Sequence, residues 1–181
     1  MRTEERILLV SSNIWMFSDG LLGPLFAVYA AEIGGDILDI TMSWAIFLIV
    51  TGILTIYIGK LGDKVGHEKL LVLGYALNAV FTFAYMFIDS AIGLFVVQAG
   101  LGVSLALANP TWLALYDKYS QAKKDGDLWG NAEGQGNISM GIATMVGGFI
   151  VSATSFKILF LVMGILQTFA TIIQLKILYK K

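Results

Sequence analysis

A single carboxylate, Asp19, lies inside a long apolar stretch, and no other position in this sequence suggests chemistry so directly. It falls about 12 residues into the stretch 7–31, which is about 18 Å along a helix. An ionised carboxylate at that depth in a membrane costs at least about 2.5–3.5 kcal/mol. We therefore predict that Asp19 either exchanges a proton or is the counter-charge for a cationic ligand beside Trp15. The alternative is a protonated Asp19 that only hydrogen-bonds to a neighbouring helix.

Two helical faces collect further polar and aromatic side chains at steps of three and four residues. One is Ser12, Trp15, Asp19 and Phe26, and the other is Gln98, Gly102, Leu105, Asn109, Trp112 and Tyr116. The only two prolines, Pro24 and Pro110, fall at matched depths on the same two helices, which is typical of a carrier's central site. We predict that these faces line a cavity; packing between helices and an interfacial aromatic belt are the alternatives. The expected pathway residues are Asp19, Trp15, Asn109, Gln98, Trp112 and Tyr116.

Long apolar helices must carry these faces, and the composition supplies them. Hydrophobic residues make up 57% of the chain and charged residues 14%, and the mean hydropathy is +0.77. Six stretches approach or exceed the ~20 residues that cross a ~30 Å hydrocarbon core. The sequence thus predicts an all-α membrane protein with one domain, residues 1–181. The predicted spans are 7–31, 43–59, 70–88, 91–116, 134–153 and 156–178.

The 12 lysine and arginine residues are distributed very unequally between the two sides of this map. Lys157 is the only one of them in the loops on one side, and the other eleven fall on the opposite side. Because cytoplasmic loops are enriched in Lys and Arg, we predict a multi-pass protein of the cytoplasmic membrane with both termini in the cytoplasm. A cleaved signal peptide over residues 1–31 is the alternative, opposed by the length of the stretch and by Asp19. The cations on the cytoplasmic side are Arg2, Arg6, Lys60, Lys64, Lys69, Lys118, Lys123, Lys124, Lys176, Lys180 and Lys181.

The composition also argues against several classes of protein. A net charge of −1 without a basic aromatic tract indicates no nucleic-acid partner. There is no cysteine, and the one histidine, His67, falls in a predicted loop, so we expect no metal centre, no cofactor and no enzyme. No lysine or arginine is available at mid-membrane depth to bind an anion. The expected ligand is therefore a small neutral or cationic amphipathic molecule.

One loop has an unusually ordered pattern of glycines and charges. Between the second and third spans, residues 59–69 read Gly-Lys-Leu-Gly-Asp-Lys-Val-Gly-His-Glu-Lys. Glycines permit a tight reversal between packed helices, the acid can cap a helix start, and the lysines hold the loop at the membrane surface. An ordinary basic loop is the alternative. The residues that define the pattern are Gly59, Gly62, Asp63, Lys64, Gly66 and Lys69.

With this loop and six spans, the chain resembles one six-helix half of the major facilitator superfamily of secondary transporters. The resemblance implies two inverted three-helix repeats, 7–88 and 91–178, with a cytoplasmic loop at 117–133. A fifth-span glycine motif of drug antiporters is matched in part by Gly141, Gly147 and Gly148, but Ala143 and Thr144 replace its Gly-Pro. The span-four arginine expected before Gln98 is absent.

The resemblance further implies a half-size secondary transporter that works by alternating access as a dimer, the partner being the lipid-embedded second copy or a separate second half. A chain that is one piece of a longer protein is a third reading. A non-transporting scaffold or partner subunit is the alternative function. We also expect Asp63 of one copy to cap the fifth span of the other at residues 134–137. The expected interface residues are Gly52, Thr55, Gly141, Thr144 and Gly148.

Overall fold

The computed structural model describes residues 3–120 and 125–179, and all of its regular elements are helices. This confirms the expected all-α class. Arg2, Lys123, Lys124, Lys180 and Lys181, which contributed to the predicted orientation, lie outside the described residues. The helices are α1 Thr3–Leu22, α2 Leu25–Glu32, α3 Ile37–Val65, α4 His67–Ala84, α5 Ala91–Tyr119, α6 Asp125–Ala153 and α7 Phe156–Leu175, with short 3-10 helices at Tyr85–Phe87 and Lys176–Tyr179.

The described helices have the length and apolar composition of a multi-pass membrane protein. Five of them can each cross a membrane, and α1 with α2 makes a sixth span if the bent pair counts as one. We call the end of the bundle that holds Arg6, Lys60, Lys64, Lys118 and Lys176 the basic end. The opposite end, with Glu32, Asp36, Asp39 and Asp89, is called the acidic end.

The two prolines, expected to act alike, have different effects. Gly23, with φ of +30°, and Pro24 separate α1 from α2, and the two helices meet at 52°. Gly23 adopts a φ that other residues rarely reach, and Pro24 has no amide hydrogen to donate, so the helix cannot continue through this pair. Pro110, in contrast, lies inside α5, which runs unbroken from Ala91 to Tyr119. Only the first span is broken.

Capped helix starts define the acidic end and correct one predicted loop. The Asp36 carboxylate accepts hydrogen bonds from the amides of Leu38 and Asp39 at 2.8 and 2.9 Å, and Asp39 returns a bond to the Asp36 amide. This capping box starts α3 at Ile37. The predicted loop at 32–42 is therefore wrong in its second half, because the reading by hydropathy missed a polar first turn.

At the basic end, two further predicted loops are mostly helical. Residues 59–65 belong to α3 and residues 67–69 to α4, so only Gly66, with φ of +101°, reverses the chain. The predicted loop 117–133 is helical through Tyr119 and again from Asp125. Residues 134–137 consequently lie well inside α6, where backbone amides already have partners. The prediction that Asp63 caps a helix start at 134–137 is therefore wrong.

Four helices form the packed centre of the bundle, and two lie outside it. α1, α4, α5 and α7 contact one another in pairs, whereas α3 packs mainly on α5 and α6 mainly on α1. The contacts of the first three spans are repeated by the last three: α3 packs on α5 as α6 packs on α1, and α4 packs on α5 as α7 packs on α1. The inverted repeat itself stays a prediction.

The outer helices α3 and α6 expose most of their apolar surface. In the most apolar part of each helix, only 6% of the residues of α3 and 17% of those of α6 are buried. Glycines on α6 fall into two groups. A side chain added at Gly147 would meet the backbone of Leu21, whereas Gly148 has open space around it. One side of α6 therefore touches α1 backbone to backbone, and another side is bare.

The core consists of two apolar clusters with a polar layer between them. In the cluster nearer the acidic end, Tyr85 stacks on Phe160 and Tyr29 meets both rings edge-on. The other cluster includes Leu71 and Leu115. Between them, α1 and α4 contribute polar residues that the next section describes. The two clusters stabilise the bundle from both sides of this layer.

The neighbouring glycines of α6 give a matched test of the packing. We expect Gly147→Ala to lower the unfolding free energy by about 1–3 kcal/mol, because its methyl group overlaps the Leu21 backbone. Gly148→Ala should change stability by less than about 1 kcal/mol, and toward higher stability. Thermal unfolding in detergent measures both. Equal unfolding temperatures for the two variants would contradict the described contact of α1 with α6.

Candidate functional site

A cavity of about 250 Å³ lies between the polar layer and the outer helix α3. We call it the central cavity. α1, α3, α4, α5, α6 and α7 each contribute to its wall. Most lining residues are apolar or aromatic, and Asp19 is the one with a formal charge. The polar lining residues are Asp19, Asn78, Thr82 and Gln98, and the aromatic ones are Trp15, Phe26, Trp44, Phe47 and Tyr85.

Asp19 is held by hydrogen bonding without an ion pair. The Gln167 Nε2 atom on α7 donates to Asp19 Oδ1 at 2.9 Å. Within residues 3–120 and 125–179, the ion pairs present join Asp63 to His67 and Glu68 to Lys118, so no cation neutralises Asp19. The carboxylate therefore has an amide on one side and a cavity on the other.

Two amide side chains in the wall of the central cavity have hydrogen-bonding groups without a partner of normal geometry. Asn78 lies next to the carboxylate and accepts a hydrogen bond from Ser104 at 3.2 Å, but its Nδ2 atom has no partner of normal geometry. Gln98 is 3% exposed, lines the same cavity, and forms no side-chain hydrogen bond in the described part of the chain. Buried amides are normally paired, so these groups are available to a ligand.

A second chamber of about 150 Å³ continues from the central cavity toward the basic end. We call it the aromatic chamber. The two share Trp15 and Leu105 in their walls. Its other aromatic lining residues are Tyr75, Trp112 and Trp129, and its polar ones include Asn109 and Glu133. The whole groove thus runs from α2 to the basic end along α1 and α5.

Five of the six pathway residues predicted from the sequence line this groove. Trp15, Asp19 and Gln98 line the central cavity, and Asn109 and Trp112 line the aromatic chamber. Tyr116 lies in neither. It is 1% exposed and donates a hydrogen bond to the Leu128 carbonyl at 3.4 Å, so it belongs to the core at the basic end.

Sequence reasoning missed the contributions of α4 and α7. Asn78 and Thr82 lie on α4 in the cavity wall, and Gln167 on α7 holds Asp19. A signal was available, because Asn78 and Gln167 are amides inside otherwise apolar predicted spans. Only a structure shows that they meet at Asp19.

The residues of the 59–69 pattern surround a single reversal. Asp63 is exposed and pairs with His67 at 3.2 Å on the adjoining turn. Gly62 lies so close to the His67 ring that no larger residue fits there without movement. Lys64 and Lys69 are exposed, and Gly59 has open space around it. The pattern thus fixes the turn from α3 to α4.

The predicted interface residues divide into two sets. Gly52, Gly141 and Gly148 have nothing within 4 Å of the position where a side chain would begin. Thr55 is half-buried on α3. Thr144 instead faces α1, where its hydroxyl donates to the Gly20 carbonyl at 3.1 Å. Thr144 is therefore a contact within the bundle rather than part of the bare surface.

The groove offers no evident place for a resident metal. Among the described residues, no three His, Cys, Asp or Glu side chains are grouped so that they could hold an ion. What the groove offers is one carboxylate at mid-depth, amides and aromatic rings. Such a lining is suited to an organic molecule and does not suggest bond-making chemistry.

A groove of this kind inside a bundle of membrane-length helices defines a multi-pass membrane protein with an internal cavity. Residues 8–180 match the family Major Facilitator Superfamily. The chain belongs to that superfamily. The relatives that it matches are named as transporters or multidrug resistance proteins.

Individual relatives are distant and longer than this chain. An uncharacterised transporter of the major facilitator type from Methanocaldococcus jannaschii is 23% identical over 168 residues, covering 93% of this chain and 44% of the relative. The multidrug resistance protein MdtG of Klebsiella pneumoniae is 21% identical over 159 residues, covering 86% and 39%. MdtG of Yersinia enterocolitica is 27% identical over 101 residues, covering 54% and 24%. The chain thus spans less than half the length of these relatives.

Proposed function

We propose that this chain forms one wall of an alternating-access carrier that moves a small cationic amphipathic solute across the cytoplasmic membrane. The observation that carries the proposal is Asp19, a carboxylate without an ion-pair partner in a cavity with aromatic walls. A neutral amphipathic solute is the second candidate, favoured by the Gln98 amide, which lines the cavity and forms no side-chain hydrogen bond in the described part of the chain.

The lining of the central cavity favours a cation over an anion or a sugar. Asp19 supplies the counter-charge, and Trp15 and Trp44 supply rings that attract organic cations. Within residues 3–120 and 125–179, no lysine or arginine lines the cavity. Asp19 holds either the cation or a proton, and Tyr75 and Tyr85 are the other titratable side chains close to it. Competition between cation and proton at one carboxylate couples their movements.

Flux measurements test the role of Asp19. In proteoliposomes with an imposed pH gradient, we expect the wild type to take up radiolabelled phenyltrimethylammonium. Asp19→Asn should lower the uptake by about tenfold or more, since the loss of a charge partner in an apolar site is worth upward of about 1.4 kcal/mol. The asparagine side chain does not take up a proton at the pH values used, so the remaining uptake should not respond to the pH gradient.

Asp89→Asn is the matched control for this experiment. Asp89 is exposed at the acidic end and lines neither the central cavity nor the aromatic chamber, so its loss should leave uptake unchanged. Wild-type uptake that survives Asp19→Asn with its pH dependence intact would refute the proposal. Absence of any flux, with the wild type folded and membrane-inserted, would favour the non-transporting scaffold.

The bare surface of α3 and α6 supports a second six-helix unit as partner, in our proposal another copy of this chain. Both helices expose large apolar side chains, among them Ile53 and Phe149. Gly52, Gly141 and Gly148 lie on this surface without close neighbours, which lets another helix approach its backbone closely. The central cavity also has residues of α3 and α6 in its wall, so a partner seated there closes it.

Cysteine pairs test the partner. The chain has no cysteine, so every thiol is introduced. Gly52 lies about 22 Å from the acidic end of α3 and Gly141 about 18 Å from that end of α6, so a twofold axis along the membrane normal brings them level. We expect cysteines at 52 and 141 to yield a disulfide-linked dimer on oxidation in native membranes, visible on a non-reducing gel.

The matched control replaces the α6 position with one on α7. Phe169 is 53% exposed on α7, which contacts α1 and α4 and lies away from α3. Cysteines at 52 and 169 should remain monomeric under the same oxidation. Linkage of both pairs to the same extent would indicate random collision. A protein that stays monomeric in lipid nanodiscs would exclude the second copy as partner.

Labelling from one side tests the proposed orientation. Single cysteines are placed at Lys64 on the basic end and at Asp89 on the acidic end, both of which are exposed. In intact cells, an impermeant maleimide should label position 89 at once and position 64 only after permeabilisation, because basic loops stay in the cytoplasm. The reverse pattern would overturn the orientation.

A further inference from the structure

The aromatic chamber has features that the carboxylate site at Asp19 does not explain. It lies on the basic-end side of Trp15, and three tryptophans line it: Trp15, Trp112 and Trp129. Trp15 stacks on Tyr75 with ring centroids 5.8 Å apart, and Trp112 stacks on Tyr116 at 4.7 Å. One face of each indole is thus fixed against a tyrosine, which holds both rings in place beside the chamber.

The charge of the lining selects the kind of ligand. Among the described residues, Glu133 is the charged member of the chamber wall, and no lysine or arginine contributes to it. A carboxylate and several ring surfaces around one space form the arrangement that binds organic cations. An anion would meet the Glu133 carboxylate without a compensating cation.

The surface of the lining narrows the ligand further. The Nε1 atoms of Trp15 and Trp112 are buried and have no hydrogen-bond partner among the described residues. Most of the lining is ring and aliphatic surface, and Glu133 supplies the negative charge. A quaternary ammonium ion, whose methyl groups pack against such surfaces and which needs no hydrogen-bond acceptor, fits this lining better than a primary amine does.

The chamber is far enough from Asp19 to hold a separate ion. On α1, Asp19 follows Ser12 by seven residues, and on α6, Met140 of the central cavity follows Glu133 by seven, so each pair is separated by about 10 Å along its helix. Trp15 and Leu105 stand between the two spaces. Two small cations can therefore be bound in the same chain.

We propose that the aromatic chamber is a second binding site, specific for a quaternary ammonium ion, formed by the indole rings of Trp15, Trp112 and Trp129 together with Glu133. It rests on the proposed function in taking the solute to be an organic cation. The site lies between the basic end and the central cavity, on the path that such a solute would follow.

Binding measured without Asp19 isolates this site. Asp19→Asn protein in lipid nanodiscs is dialysed to equilibrium against radiolabelled phenyltrimethylammonium. We expect one saturable site per chain in this variant and two in the wild type. Adding Glu133→Gln to Asp19→Asn should weaken the remaining site about tenfold, because the ion loses its counter-charge. Unlabelled tert-butylbenzene, the neutral molecule of the same shape, should not displace the ion.

Asp127→Asn is the matched control, since Asp127 is exposed on α6 and lies outside the chamber wall. Added to Asp19→Asn, it should leave the affinity unchanged. The proposal is overturned if Glu133→Gln has no more effect than Asp127→Asn, or if tert-butylbenzene competes equally well. If the function proposed for Asp19 fails instead, wild type and Asp19→Asn bind equal numbers of ions while the effect of Glu133→Gln persists.

Discussion

The hydrogen bond from Gln167 to Asp19 joins the first and last spans at mid-height, and the polar layer of the core is arranged around it. A carboxylate inside an apolar bundle must find donors or lose its charge. Here Gln167 on α7 donates one hydrogen bond, and the amide of Asn78 on α4 lies next to the carboxylate. Because the other side of Asp19 faces the central cavity, the packing that secures the carboxylate also presents it to a ligand.

The division of labour among the helices follows from this arrangement. α1, α4, α5 and α7 hold the polar layer and both apolar clusters, so they form the fixed body of the unit. α3 and α6 add side chains such as Trp44 and Met140 to the cavity but bury little of their own surface. An apolar helix surface of that extent is stable only against lipid or another protein. The same two helices therefore contribute both to the cavity wall and to the surface at which we propose that a partner binds.

Hydropathy predicted the spans and the helical class because the free energy of burying apolar residues dominates both. It misplaced the ends of α3. Asp36 and Asp39 form a cap that starts this helix before its apolar part, and the helix continues through the charged residues around Asp63 to Val65. The cavity-lining stripe was predictable on α1, where period and polarity agree. The amide of Gln167 was visible as a polar residue in a span, but its partner depends on how α7 packs on α1, which periodicity does not encode.

The bend at Gly23 and Pro24 changes the mechanics of the first span. Across an unbroken helix such as α5, stiffness comes from consecutive backbone hydrogen bonds. At the joint between α1 and α2 that ladder is interrupted, and α2 is held instead by side chains, chiefly Tyr29, whose hydroxyl donates to the Tyr85 carbonyl at 2.8 Å. The position of this eight-residue segment therefore depends on aromatic packing against its neighbours more than the position of a residue inside an unbroken helix does.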